Sequence, residues 1–323
     1  MPDPLFILLV ALVLDWYLGE PEALWSRLPH PIILFGKAVS LADKCLNDDD
    51  DRDEVQYKKG AVAISLLLLM ALLFAFALES FFCWFGRIGS VLEIAFVFVL
   101  LAQKSLADHV EMVAKGLKKD GLHGGRKAVG MIVGRDPSRL DKTGVSRAAI
   151  ESLAENFSDG VVAPVFWYVV FGLPGIVVYK MINTADSMIA YRNEKYLWFG
   201  RLAAQIDDLA NWVPARISAV LIALGAGMLG GAGAFKNSLI VALRDSGLHR
   251  SPNAGWPEAA MAGGADIALG GPRIYPDETV QQAYLNSSGK QDLGTADIKR
   301  TIQIFALACF SLWFVIGVLA VLF

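Results

Sequence analysis

The chain has 323 residues, 55% of them hydrophobic, and a mean hydropathy of +0.47, which is too apolar for an ordinary soluble protein and marks an integral membrane protein. A net charge of -3 with no Lys/Arg-rich block and no aromatic RNA signature excludes a nucleic-acid binder on electrostatic grounds. Cys45, Cys83 and Cys309 lie far apart and in odd number, and His30, His109, His123 and His249 lack ligand spacing, so neither a disulfide framework nor a zinc site is indicated.

The N-terminus reads PLFILLVALVL from Pro4 to Leu14, without the basic region or cleavage site of a secretory signal, and is expected to be retained. As a helix this stretch covers about 16 Å, roughly half the hydrocarbon thickness, so it should enter the bilayer or lie at its surface. Ala61 to Leu78 is an uncharged run of 18 residues and Thr301 to Phe323 one of 23, both long enough to span. Ile88 to Ala102 is apolar apart from Glu93 and continues into a helical pattern at Val110, Val113 and Leu117, which predicts a span projecting beyond the bilayer. The acidic run from Asp48 to Glu54 reads as a solvated loop.

Four polar stretches, 19–59, 108–159, 183–211 and 236–300, carry 6, 9, 3 and 7 Lys/Arg residues, whereas the turn between the first two spans holds only Arg87. The positive-inside rule therefore places all four on the cytoplasmic side. Val161 to Tyr179 and Ile217 to Phe235 are also uncharged runs, each of 19 residues, and as simple spans they would isolate 183–211 on the opposite face. Each run carries a break: Gly172-Leu173-Pro174-Gly175 in the first, and glycines 225, 227, 230, 231 and 233 in the second. Re-entrant hairpins at these breaks would restore one-sidedness, because Gly and Pro at membrane depth are tolerated where protein or a polar cavity satisfies the freed backbone groups. The alternative is two Gly-rich spanning helices. The expected fold is all-α: a polytopic helical membrane protein forming a single domain over 1–323, with about three to five spans, possible re-entrant hairpins, and motif-bearing cytoplasmic segments at 108–159, 183–211 and 236–300.

Polar side chains concentrate between Arg147 and Arg216, amid membrane-grade hydrophobicity that makes them costly to keep without a use. Arg147, Glu151, Glu155 and Asp159 recur every four residues and would line one helical stripe. Lys180, Asn183, Thr184, Ser187 and Tyr191 share a second face, with Asp186 beside it and Arg192 following; Asp207 or Asp208 reaches Asn211, ahead of Pro214 and Arg216. A salt-bridged exposed helix accounts for the first stripe as well as Mg²⁺ binding or general-base work does. His30 between two prolines suits a rigid turn or catalysis, the turn being favoured. No GxxxxGK[ST] sequence exists, so any ATP site is not a P-loop of the usual kind.

DWYLGEP, LPHP, GRDPSRL, RAAIESLAENFSDGVVAP, INTADSMIAYR, IDDLANWVPAR and SPNAGWPEAAMAGG with LGGP occur in that order over nearly the whole chain. In this set the chain resembles the membrane cobinamide-phosphate synthases of cobalamin biosynthesis. The resemblance implies a ligase of the bacterial inner membrane, with its motif loops facing the cytoplasm. It would join adenosylcobyric acid, a corrinoid, to an amino-alcohol phosphate such as aminopropanol phosphate, with ATP consumed and Mg²⁺ required. For that chemistry Glu151, Glu155 and Asp186 are the candidate catalytic residues, and Asp159, Asp207 and Asp208 the candidate metal ligands. Arg135, Arg147, Arg192 and Arg216 suit phosphate or carboxylate through the guanidinium fork. Asn156, Asn183, Asn211 and Asn253 suit the corrinoid amides, and Ser187 and Glu258 complete the binding set. A transporter with broken helices is the main rival, although no internal repeat is visible; a signalling membrane protein related to the beta-lactamase-induction family is the second.

Overall fold

A computed structural model describes residues 3–19, 30–48, 50–134, 136–191, 193–274, 279–280 and 282–322 of the protein. The helices are α1 (Pro4–Leu18), α2 (Pro31–Leu46), α3 (Asp53–Trp84), α4 (Arg87–Leu100), α5 (Gln103–Lys119), α6 (Gly121–Val129) and α7 (Lys142–Phe157). They continue as α8 (Ala163–Ile189), α9 (Arg201–Ala210), α10 (Trp212–Asp245), α11 (Gly255–Ala265) and α12 (Thr295–Leu322). Four two-residue strands form two antiparallel pairs, β1 (Leu269–Gly270) with β4 (Tyr284–Leu285) and β2 (Arg273–Ile274) with β3 (Thr279–Val280). The fold is thus all-α with a minor strand element, and five helical stretches are long and apolar enough to cross a membrane: 53–84, 87–119, 142–189, 212–248 and 295–322.

Local chemistry fixes the helix starts. Asp3 accepts the Leu5 N–H at 2.6 Å ahead of Pro4, and His30 Nδ1 accepts the Ile32 N–H at 3.2 Å ahead of Pro31, so His30 has the turn role favoured from sequence. Asp141 caps α7 by accepting the Gly144 N–H at 2.6 Å. The single helix expected from 88 to 117 is two: Leu101 is extended (φ -95°, ψ 159°), which ends α4 before α5 begins. The stripe of Val110, Val113 and Leu117 is nonetheless buried as expected.

The chain divides into two compact units, Met1–Ala102 with Ala163–Asn211 and Ile316–Phe323, and Gln103–Val162 with Trp212–Val315. In the first, α8 reverses at Gly172, whose φ of 64° and ψ of -148° are open essentially to glycine alone. A Cβ placed on Gly175 would lie 2.1 Å from the Trp167 carbonyl oxygen, eight residues earlier, so the legs are folded tightly together. Ala163 and Ile182 then share one core cluster with Tyr179 and Ala210, although a straight helix would hold them about 28 Å apart. In the second unit α10 reverses at Gly231 (φ 78°, ψ -175°). A Cβ on Gly264 of α11 would lie 2.7 Å from Ala226 Cβ and 3.5 Å from Ser238 Cβ; these sit on opposite legs and would be about 18 Å apart in a straight helix. Both breaks seen in the sequence are therefore hairpins, and the straight-helix alternative is set aside.

Candidate active site

In the second unit a cavity of about 260 Å³ is lined by Ile132–Gly134, by Ala148, Glu151, Ser152, Glu155 and Asn156 of α7, and by His249 and Glu258. Helical spacing brings the five α7 residues to one side, and hydrogen bonds fix the surrounding walls. Ser152 Oγ donates to the Ile132 carbonyl at 3.1 Å, holding the 132–134 loop against the helix. Glu151 is buried and its Oε1 accepts the Gly270 N–H at 2.8 Å, which ties β1 to α7. Glu155, one turn on, is exposed at the cavity, and Asn156 Nδ2 donates to the Ser152 carbonyl at 2.9 Å.

The opposite wall comes from the segment joining α10 to α11. The Ser251 N–H donates to His249 Nδ1 at 3.0 Å, which leaves the ring proton on Nε2, and Nε2 stands 3.7 Å from Glu258 Oε1. Both side chains are almost wholly buried, at 9% and 1% exposure. Ser251 Oγ accepts the Asn253 and Ala254 N–H groups at 3.2 Å and so closes the turn ahead of α11, in whose first turn Glu258 occupies the positive end of the helix dipole. Asn253 is buried within this turn. Three carboxylates and an imidazole around one small cavity favour a cationic ligand, and an exposed carboxylate beside buried ones can take a proton from it.

Arg147 lies on the same helix but works on the loop: its Nε donates to the Ala268 carbonyl at 3.3 Å, its Nη2 to the Gln291 carbonyl at 3.1 Å, and its guanidinium stands 5.4 Å from the Tyr284 ring centre. Asp159 lies in the π turn 158–162 that follows α7 and is not among the residues lining the cavity. The Arg216 guanidinium contacts two indoles, 4.2 Å from the Trp212 ring centre and 4.7 Å from that of Trp256. Arg216→Lys, which keeps charge but loses planar stacking, is expected to lower the melting temperature with a loss of about 1 kcal/mol, read by thermal unfolding.

A second polar group belongs to the first unit. The Tyr179 hydroxyl donates to Asn211 Oδ1 at 2.9 Å, and Asn211 Nδ2 donates to Asp207 Oδ2 at 2.9 Å. Burial, reinforced by the Asp186 charge, pushes the Asp207 carboxyl up to about 7 against the opposing hydrogen bond from Asn211; Asp208 adds to the rise and Asn183 opposes it. INTADSM and IDDLANW thus meet, and Asn183, Asp186, Asp207 and Asn211 form one neighbourhood. Ser187 Oγ is turned back onto the Asn183 carbonyl at 2.8 Å, and α8 ends at Ile189, so Tyr191 lies beyond the helical face expected for it. Among the described residues no group of three His, Cys, Asp or Glu side chains is arranged to hold a metal, so Asp159, Asp207 and Asp208 form no such cage. Arg135 and Arg192 lie outside the described residues.

The raised Asp207 value has a sign that can be tested. The folded state holds this proton more tightly than the unfolded chain, whose carboxyl titrates near 3.8, so its stabilising effect is full below about pH 4 and is lost as pH rises through about 7. Asp207→Asn is therefore expected to raise the melting temperature at pH 8 without divalent cation, with the gain vanishing towards pH 4.

His249 and Ser152 were not singled out from sequence. The available signal was slight: His249 stands nine residues before Glu258 across a proline- and glycine-containing turn, a spacing that only the fold makes meaningful.

Residues 8–305 match the family model described as CobD/Cbib protein. The chain is 55% identical over 305 residues to the Cobalamin biosynthesis protein CobD of Sinorhizobium sp, covering 94% of each chain. It is 50% identical over 306 residues to the protein of that name from Brucella suis biovar 1, covering 94% of this chain and 93% of the relative. With that of Rhodobacter capsulatus the identity is 43% over 319 residues, covering 98% and 97%. No solved structure matches. The chain belongs to the CobD/Cbib family of cobalamin biosynthesis proteins.

Proposed function

We propose that this membrane protein is an ATP-dependent ligase that joins adenosylcobyric acid to an amino-alcohol phosphate, with aminopropanol phosphate as the amine, to give adenosylcobinamide phosphate. The observation that carries the proposal is the cavity where Glu151, Glu155 and Glu258 converge with His249, an arrangement suited to an ammonium nucleophile. A carboxylate is a poor electrophile, so the γ-phosphoryl group of ATP is first transferred to the corrinoid carboxylate, releasing ADP and forming an acyl phosphate. The ammonium, held among the carboxylates, gives a proton to Glu155. The free amine then attacks the acyl carbon, the C–N bond forms, and phosphate leaves with the C–O electrons and takes up the second N–H proton.

Glu155 is assigned as base because it is the exposed one of the three carboxylates on the cavity wall, where an arriving ammonium can reach it. Mg²⁺ would neutralise nucleotide phosphate charge, and Asp186, Asp207 and Asp208 are the proposed carboxylates for it. Arg135 and Arg192 remain the proposed phosphate forks.

Purified protein given ATP, Mg²⁺, adenosylcobyric acid and aminopropanol phosphate is expected to form the amide. Uptake into vesicles without turnover would instead identify a carrier. The motif segments are proposed to face the cytoplasm of the inner membrane. Single cysteines at Asn193 and Asn253 should then be labelled from one side; labelling from opposite sides contradicts this orientation.

A further inference from the structure

In the first unit a cleft of about 550 Å³ opens between α3, the two legs of the α8 hairpin, and α9. Its walls are carbon: Leu72 and Phe76 from α3, Phe171 and Pro174 at the reversal, Val178 on the second leg and Leu209 from α9. The two polar groups at the wall are already engaged, since Trp167 Nε1 donates to the Ala210 carbonyl at 3.1 Å and the Tyr179 hydroxyl donates to Asn211. Nothing remains to recognise a polar ligand. Left empty, such a cleft forfeits dispersion contacts in proportion to its size, and water finds no partners in it.

We propose that this cleft binds one acyl chain of a membrane phospholipid. Two observations select that occupant. First, α3 is a membrane-crossing candidate that turns Leu69, Met70 and Leu73 outward, each more than half exposed, and Leu72 and Phe76 alternate with them, so the cleft continues the lipid-facing surface. Second, the cleft runs along the second leg from Pro174 to Ile182, roughly 12 Å, with both polar side chains at its wall engaged, which suits a hydrocarbon tail and not a polar headgroup.

The site bears on the polar chain behind it. Tyr179 and Ala210 line the cleft while Tyr179 anchors Asn211 and, through it, Asp207, so an occupied cleft supports the Tyr179–Asn211–Asp207 hydrogen bonds from the apolar side.

The test uses the full chain in nanodiscs containing phosphatidylethanolamine with a photoactivatable diazirine at the acyl tail, followed by mapping of adducts. Adducts at Val178 and Leu209 are expected to exceed those at the outward Leu69 and Leu73 several-fold. Val178→Trp, which fills the slot, should bring cleft labelling down to the outward level while leaving Leu69 and Leu73 unchanged. Leu209→Trp, at a more exposed position, gives the same comparison if the first variant does not fold. Equal labelling of cleft and outward positions, labelling unmoved by either filler, or cross-links joining two copies through the cleft would each overturn the proposal.

Discussion

Glu155→Gln is expected to lower the turnover number by about 10²- to 10⁴-fold, the usual contribution of a positioned base, while the amount of protein in the membrane and its melting temperature stay unchanged. The expectation rests on how the fold treats the three carboxylates of one cavity. Glu151 is buried and accepts the Gly270 N–H across 119 residues of sequence, so its carboxylate holds β1 in place. Glu258 is the most buried of the three and faces the protonated Nε2 of His249. Glu155 alone combines exposure with a place on the cavity wall, which is what a group that receives a proton from an arriving substrate needs. Glu151→Gln keeps an acceptor for Gly270 and should cost much less activity, whereas Glu151→Ala leaves that buried N–H unpaired and should destabilise the protein by about 1–3 kcal/mol. Equal losses in Glu155→Gln and Glu151→Gln would show that the two carboxylates are not divided in this way.

Gly172→Val and Gly231→Val should each destabilise the protein by about 3 kcal/mol or more, because both glycines adopt positive φ with ψ near ±150–180°, a region essentially closed to other residues, and valine adds β-branching. The sign discriminates between folds. In a straight transmembrane helix, replacing glycine with alanine at the same places would stabilise by up to about 1 kcal/mol. Gly233 supplies the internal control: it lies two residues past the second reversal, has no positive φ, and a Cβ there would meet nothing within 4 Å. Gly233→Ala should be neutral or stabilising while Gly231→Ala is destabilising, as read from thermal unfolding in detergent. A stabilising Gly231→Ala would mean that the chain does not turn there.

These two results address what the sequence made visible and what it did not. The reversals were legible because Gly and Pro interrupt runs otherwise fit to span, and because straight helices would have separated polar motifs that need one side. The α7 stripe was legible as far as Glu155, since helical periodicity is a local property. Beyond it the helix gives way to a π turn at 158–162, which α-helical periodicity does not anticipate. The partners of Arg147 and Arg216 were not legible for a different reason. A fork that suits phosphate also suits backbone carbonyls and indole faces, and whether Arg147 meets Ala268 and Gln291, or Arg216 meets Trp256, depends on contacts over tens to more than a hundred residues. His249 escaped notice on the same ground: metal-ligand spacing was the wrong test for an imidazole that faces a buried carboxylate on one side and the Ser251 backbone on the other. Asp207 shows the converse, because two short motifs that each looked weak become a coupled acidic group once α8 and α9 are packed together.

The most direct measurement follows oxygen. With adenosylcobyric acid carrying ¹⁸O in the reacting carboxylate, turnover by the purified protein with ATP and aminopropanol phosphate should transfer one labelled oxygen to inorganic phosphate for each amide formed. Amide formation with unlabelled phosphate, label recovered in AMP, or no amide at all would contradict ligation through an acyl phosphate.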